Sequence, residues 1–146
     1  MNKYKMLKET EEHYGKLYHR VVALKDFSNV SKGDIGGLIE KKENLSQSGD
    51  AWVSGDAQVY GDAWVSGNAR VYGENILTIS NIGSRNATMT ATTNEKGDIL
   101  IFTGCFSGTI DRFIKAVKER HQGNKHEKDY LSACDFIRIR LSKEVE

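Results

Sequence analysis

Apolar and polar residues repeat with a period of six between residues 49 and 73. Four copies follow one another, and each has Ala second, Val fourth and Gly sixth: 50–55, 56–61, 62–67 and 68–73. Residues two apart on an extended strand point to the same face, so each copy predicts a short strand with Ala and Val inside. Gly followed by Asp or Asn accepts the positive φ that a corner needs. We therefore expect the chain to turn every six residues.

Alternating patterns on both sides of the repeat predict two β-hairpins. Residues 3–25 alternate around a turn at Tyr14-Gly15-Lys16, and residues 26–37 are rich in turn formers. A second pair of strands is predicted at 86–93 and 99–106, on either side of a polar turn.

The last third of the chain changes to a helical period. Ile110, Phe113, Ile114 and Val117 share one helix face, and Thr109 is a suitable N-cap. A second helix is predicted over about 127–142, so a hairpin followed by two helices ends the sequence.

The Val-x-Gly-Asp-Ala repeats resemble those of the hexapeptide-repeat family, in which three repeats form one coil of a left-handed parallel β-helix. The resemblance implies that residues eighteen apart stack, as in Trp52 over Arg70 and Val53 over Val71. The same register extends backwards through Leu45 and Ile39 and forwards through Leu77. The alternative is a β-meander whose turns recur every six residues.

These observations predict a β-solenoid, a short left-handed parallel β-helix with a cap at each end. The predicted parts are an N-terminal β-hairpin and loop cap (1–37), a hexapeptide β-helix (38–82) and a C-terminal α+β module of a hairpin plus two helices (83–146).

The order of these parts also resembles small proteins encoded by bacteriophages and prophages. The matching segments are Gly36-Gly37-Leu38-Ile39-Glu40, Asn44-Leu45-Ser46, the repeats, and in the C-terminal module Gly83-Ser84-Arg85-Asn86, Gly104-Cys105-Phe106-Ser107-Gly108-Thr109, His121 and Tyr130. This resemblance implies a phage origin and, by association, a host-directed role such as antagonising a defence factor.

Composition excludes several function classes. The net charge is +1, and basic residues of the C-terminal helices alternate with acidic ones, so we do not expect nucleic-acid binding. No stretch has the length of a membrane span, and we expect a cytoplasmic protein (in the host cell, if phage-encoded) without metal or cofactor. Cys105 and Cys134 are predicted to be buried free thiols.

Two enzymatic hypotheses compete with these expectations. Hexapeptide acyltransferases use a histidine base near a coil, but none of His13, His19, His121 and His126 lies in the repeats. Cys105 with His121 as its base is an alternative nucleophile, although a small residue after a buried strand is better explained by packing. We therefore expect a non-enzymatic protein.

Two groups of residues are candidates for binding. Ser84, Arg85 and Asn86 follow Gly83 and combine polar donors with a guanidinium fork that suits a phosphate or carboxylate, as in a small anionic ligand or a nucleotide. A structural turn is the alternative.

The second candidate is a surface of outward-facing side chains on the repeats. Trp52, Tyr60, Trp64 and Tyr72 are predicted to point outwards, with Arg70 beside Trp52. They predict an interface in a homo-oligomer (trimer or dimer) or with a host protein. The alternative is that the hairpins of the cap cover these rings within one chain.

Overall fold

The computed structural model describes residues 2–83, 87–104 and 106–142. The chain divides into two compact units, Met1–Asn75 and Ile76–Glu146.

A mixed four-stranded sheet begins the N-terminal unit. The predicted hairpin is confirmed: β1 (Tyr4–His13) pairs antiparallel with β2 (Lys16–Ala23). Tyr14 and Gly15 form its turn with positive φ. A third strand, β3 (Ile35–Ile39), adds antiparallel to β2 and was not predicted in this role.

The repeat region contributes three strands of two residues each. They are β4 (Trp52–Val53), β5 (Gln58–Val59) and β6 (Arg70–Val71). β5 pairs parallel with β3, and β4 pairs parallel with β6, where Trp52 lies opposite Arg70 and Val53 opposite Val71. The predicted pairing of residues eighteen apart is therefore found at these two positions, and parallel pairing excludes a meander here.

The alanines and valines of the repeats form the core of this unit. All eight are at most 1% exposed: Ala51, Val53, Ala57, Val59, Ala63, Val65, Ala69 and Val71. The glycine that ends each copy has φ between +54° and +62°, for example Gly55 and Gly73, so each corner uses the left-handed backbone that only glycine adopts without strain. The predicted inward side chains and corners are confirmed.

The predicted fold class is nevertheless wrong. The described strands form a four-stranded mixed sheet, a two-stranded parallel sheet and a four-stranded antiparallel sheet, and none of these closes or continues as a solenoid. Corners every six residues leave only two residues per strand for pairing, and a hairpin occupies the next position beside β3. Leu77 does not continue the repeat either, because it pairs antiparallel with Ala91. The molecule is a small α+β fold.

A buried amide joins successive segments of the N-terminal unit. Asn44 ends a short 3-10 helix (Lys42–Asn44), and its Oδ1 accepts hydrogen bonds from the N–H groups of Glu40 and Lys41 at 3.2 and 2.9 Å. Its Nδ2 donates to the carbonyls of Gly61 and Ala63 at 3.1 and 2.8 Å. One side chain therefore bonds four backbone groups, of which the Glu40 N–H also donates to the carbonyl of Val59 at 3.0 Å.

Two buried polar side chains hold the start of β1. Lys3 Nζ donates to the carbonyl of Ala51 at 2.7 Å and lies 5.1 Å from the ring centroid of Phe27, and burial lowers the pKa of Lys3 to about 8. Tyr4 Oη donates to the carbonyl of Leu45 at 2.6 Å, and burial raises the pKa of Tyr4 to about 12.

The C-terminal unit packs two helices on an antiparallel sheet. Its strands are β7 (Ile76–Ile82), β8 (Ala87–Thr93), β9 (Ile99–Thr103) and β10 (Phe106–Thr109), in the order β10-β9-β8-β7. The second predicted hairpin is confirmed as β8 and β9.

Both predicted helices are confirmed, as α1 (Ile110–Arg120) and α2 (Lys125–Leu141). Thr109 Oγ1 accepts the hydrogen bond of the Arg112 N–H at 3.3 Å, as an N-cap does. Asn124 caps α2 in the same way, and the helix therefore starts two residues earlier than predicted.

The core of this unit lies between the sheet and the helices. It includes Met89 and Ile101 from the sheet with Phe113 and Ile137 from the helices. Cys134 is buried there as a free thiol, as predicted, and burial raises its pKa to about 11.

Candidate functional site

A cavity of about 160 Å³ opens in the C-terminal unit, where the strand ends meet the end of α1 and the first turns of α2. Its lining combines small, aromatic and cationic side chains: Ala87, Thr103, Gly104, Phe106, Phe113, Ala116, Val117, Arg120, His121 and Tyr130.

A row of packed rings forms one wall of this cavity. The ring centroids of Phe106 and Phe113 are 5.1 Å apart, and those of Phe113 and Tyr130 are 5.4 Å apart, both in edge-to-face geometry. His121 continues the row, 5.8 Å from Tyr130. Rings at these distances stabilise one another, so the wall is held in place before any ligand arrives.

Two side chains at the end of α1 supply positive or hydrogen-bonding groups at the cavity. Arg120 is exposed, and His121 is half-buried. Within residues 2–83, 87–104 and 106–142, no hydrogen bond or ion pair engages either side chain. The carbonyl end of a helix favours a cation, which stabilises Arg120 in this position. Both groups are therefore available to a ligand.

Gly83 determines where Tyr130 lies. Its φ is +79°, and a Cβ at this position would overlap the hydroxyl and the ring of Tyr130. Tyr130 therefore packs directly on the Gly83 backbone, and only glycine leaves room for it there.

One buried nitrogen near the cavity has no partner. His126 Nδ1 makes no hydrogen bond within the described part of the chain, and the His126 ring lies 5.5 Å from the ring of His121. A buried polar atom without a partner costs free energy, which a bound water or ligand group would recover.

The structure places only one of the residues predicted for chemistry at this cavity. His121 lines it, whereas Ser84, Arg85, Asn86 and Cys105 lie outside the described residues. Phe113, Arg120 and Tyr130 were not predicted as site residues.

The sequence pattern around these residues indicates roles other than ligand binding. Phe113 belongs to the apolar face of α1, which predicts a core position. Arg120 is one of many basic residues on the helices, and nothing local distinguishes it from Arg112 or Lys118.

The predicted interface residues divide into buried and exposed groups. Trp52 and Arg70 are only 5% and 9% exposed, whereas Tyr60, Trp64 and Tyr72 are 42%, 40% and 52% exposed.

The rings of the N-terminal segment explain part of this division. Phe27 packs against Trp52 with centroids 5.4 Å apart, and Tyr18 contacts the edge of Tyr60 at 6.4 Å. The N-terminal segment therefore covers one of the four predicted aromatic residues and contacts a second.

Within the described ranges, no group of three or more His, Cys, Asp or Glu residues is arranged to hold a metal ion. None of the helices found there is long and apolar enough to span a bilayer. Comparison of the chain with protein-family models and with curated proteins gave no match. The resemblance to phage-encoded proteins stays a prediction.

Proposed function

We propose that the chain is a non-enzymatic binding protein whose C-terminal unit holds a small anionic ligand. The proposal rests on two side chains, Arg120 and His121, that make no hydrogen bond or ion pair within the described part of the chain and that lie beside an apolar cavity. Ligand sites typically combine an apolar wall, which buries the body of the ligand, with a few polar groups that orient it.

The charge at the cavity favours an anion. Arg120 presents planar N–H donors that match two oxygens of a carboxylate or phosphate, and His121 adds a ring nitrogen next to it. No lining residue that the structure describes carries a carboxylate that would repel the ligand or pair with Arg120.

The same lining supports binding without turnover. Nucleophilic catalysis needs a nucleophile and a base within hydrogen-bond reach, oriented by a third group. The described lining offers the hydroxyls of Thr103 and Tyr130 as nucleophiles and His121 as a base, but no hydrogen bond joins His121 to either hydroxyl.

Thermal unfolding with small organic anions tests the proposal. Both described α-helices lie in the C-terminal unit, so helical circular dichroism follows its melting. We expect one or more anions from a panel that includes AMP and phenyl phosphate to raise the melting temperature. Arg120→Ala should remove this shift, and Arg112→Ala, an exposed arginine of α1 outside the cavity, should retain it. A panel without any Arg120-dependent shift would contradict the proposal.

A second candidate function is self-association through the surface around the exposed ring of Trp64 in the N-terminal unit. Trp64 lies in a depression with Lys41 and Asp62, whose charged groups pair at 3.3 Å. In a two-fold dimer, Lys41 of one copy and Asp62 of the other could exchange partners beside the exposed ring, so we propose a second copy of this chain as the partner of this surface.

The oligomeric state tests this second candidate. We expect light scattering after gel filtration to give a mass above that of one chain, and Trp64→Ser to reduce it. Tyr14→Ser is the control, because Tyr14 is 99% exposed at the hairpin turn and lies outside the surface. A single-chain mass at all concentrations would exclude self-association. A host protein captured through Trp64 in that case would favour the predicted host-directed role.

A further inference from the structure

We infer that the ligand of the cavity consists of one aromatic ring bearing one anionic group, as in an aryl carboxylate or an aryl phosphate. This inference rests on the proposed function of the same cavity and narrows the ligand class.

The size of the cavity sets the size of the apolar part. The cavity measures about 160 Å³. An apolar cavity of about 150 Å³ is known to hold one benzene molecule, whereas pockets for drug-sized ligands measure roughly 300–1,000 Å³. One six-membered ring therefore fills the space, and a purine with its ribose exceeds it.

The wall favours an aromatic ring over an aliphatic one. Phe106, Phe113 and Tyr130 already pack edge to face at 5.1 and 5.4 Å. A ligand ring that enters beside them extends the same row and gains the same edge-to-face attraction, which a saturated ring of equal size does not provide.

The polar groups fit one anion. Arg120 is the single guanidinium among the described lining residues, and it stands next to His121 at the end of α1. The lining also includes the small side chains of Ala87 and Ala116, and we expect a bound ring to direct its substituent towards Arg120. A carboxylate or phosphate there accepts two hydrogen bonds from one guanidinium.

Fluorine NMR titration of 4-fluorobenzoate into the full-length protein tests the inference. We expect saturable binding, and we expect the neutral analogue 4-fluorobenzamide to bind at least about tenfold more weakly, because it lacks the charge that strengthens hydrogen bonds to Arg120. Arg120→Ala should make the affinities for 4-fluorobenzoate and 4-fluorobenzamide nearly equal. The matched control Arg112→Ala should retain the difference between these two affinities.

A cavity-filling variant tests the size argument without changing charge. Ala116→Leu should abolish binding of 4-fluorobenzoate while the helical signal and its melting temperature stay close to those of the natural chain. If Ala116→Leu does not fold, Ala87→Leu, which changes a lining residue of β8 instead of α1, serves the same purpose.

The outcomes separate this inference from the proposed function. If AMP gives an Arg120-dependent melting shift and 4-fluorobenzoate does not bind, the anion site stands and the single-ring inference is overturned. If inorganic phosphate competes as well as phenyl phosphate, the ring makes no contribution and the inference is again overturned. If no anion binds, both fail.

Discussion

Substitution of Gly83 by Ala is the sharpest test of how the cavity wall is built. Gly83 has a φ of +79°, and a Cβ there would overlap the hydroxyl and the ring of Tyr130. Gly123 offers a matched control, because its φ is +73° and no atom lies within 4 Å of the position that a Cβ would take. Gly123→Ala is therefore expected to introduce backbone strain but no steric overlap.

The structure gives the expected magnitudes. Left-handed backbone costs an Ala residue about 1–2 kcal/mol, and this cost applies to both variants. Gly83→Ala must also move Tyr130 away from Phe113 and His121, to which it packs at 5.4 and 5.8 Å. Each ring pair contributes about 0.5–1.5 kcal/mol, so we expect Gly83→Ala to cost about 1–3 kcal/mol more than Gly123→Ala.

Urea unfolding measures this difference for the correct unit. Both tryptophans, Trp52 and Trp64, belong to the N-terminal unit, whereas both described α-helices belong to the C-terminal unit. Helical circular dichroism therefore reports the affected unit, and tryptophan fluorescence reports the N-terminal unit separately.

A double-mutant cycle then assigns the excess cost to Tyr130. In the background of Tyr130→Ala, Gly83→Ala should cost no more than Gly123→Ala, because the overlapping side chain is gone. Equal costs of Gly83→Ala and Gly123→Ala in the natural chain would refute the contact between Gly83 and Tyr130 and, with it, this part of the cavity wall.

Three further predictions concern buried groups of both units. Burial lowers the pKa of Lys3 from 10.5 to about 8, so the unfolded chain holds this proton more tightly, and the stability of the N-terminal unit should rise from about pH 8 to pH 9.5. Lys3→Met should remove this rise in urea unfolding followed by tryptophan fluorescence. Asn44→Ala removes the side-chain partner of the Lys41 N–H and of the carbonyls of Gly61 and Ala63 and should cost about 2–4 kcal/mol in the same assay, whereas Asn29→Ala, on the exposed loop, should cost less than about 0.5 kcal/mol. Ile137→Ala should destabilise the C-terminal unit by about 2–5 kcal/mol, and Phe136→Ala, which is half exposed, by much less when helical circular dichroism is followed.

Local signals predicted the helices and hairpins well. The cap at Thr109, the apolar spacing from Ile110 to Val117 and the turn at Gly15 each act within a few residues of the element they define. The burial of the repeat alanines and valines was predictable for the same reason, because the alternation of side chains along an extended segment is a local property.

The fold class was wrong because strand pairing is not local. The repeat specified corners and inward side chains but not which backbone would lie beside each short strand. β2 occupies the position beside β3, and β7 leaves the repeat to pair with β8. The exposure of Trp52 was misjudged for a related reason, since the ring that covers it, Phe27, lies far away in the sequence.

The cavity could not be predicted from the sequence for a different reason. Its lining comes from three strands and two helices, and each residue taken alone has an ordinary role in packing or on a helix surface. Two of the lining residues, Ala87 and Ala116, have small side chains, so a larger side chain at either position would reduce the space. The sequence pattern predicts on which face of a helix or strand a residue lies. It does not predict how much empty volume remains between two elements that pack against each other. We therefore expect a single Leu at either alanine to close the site without disturbing the helices, and the candidate ligand site to depend on small side chains as much as on Arg120.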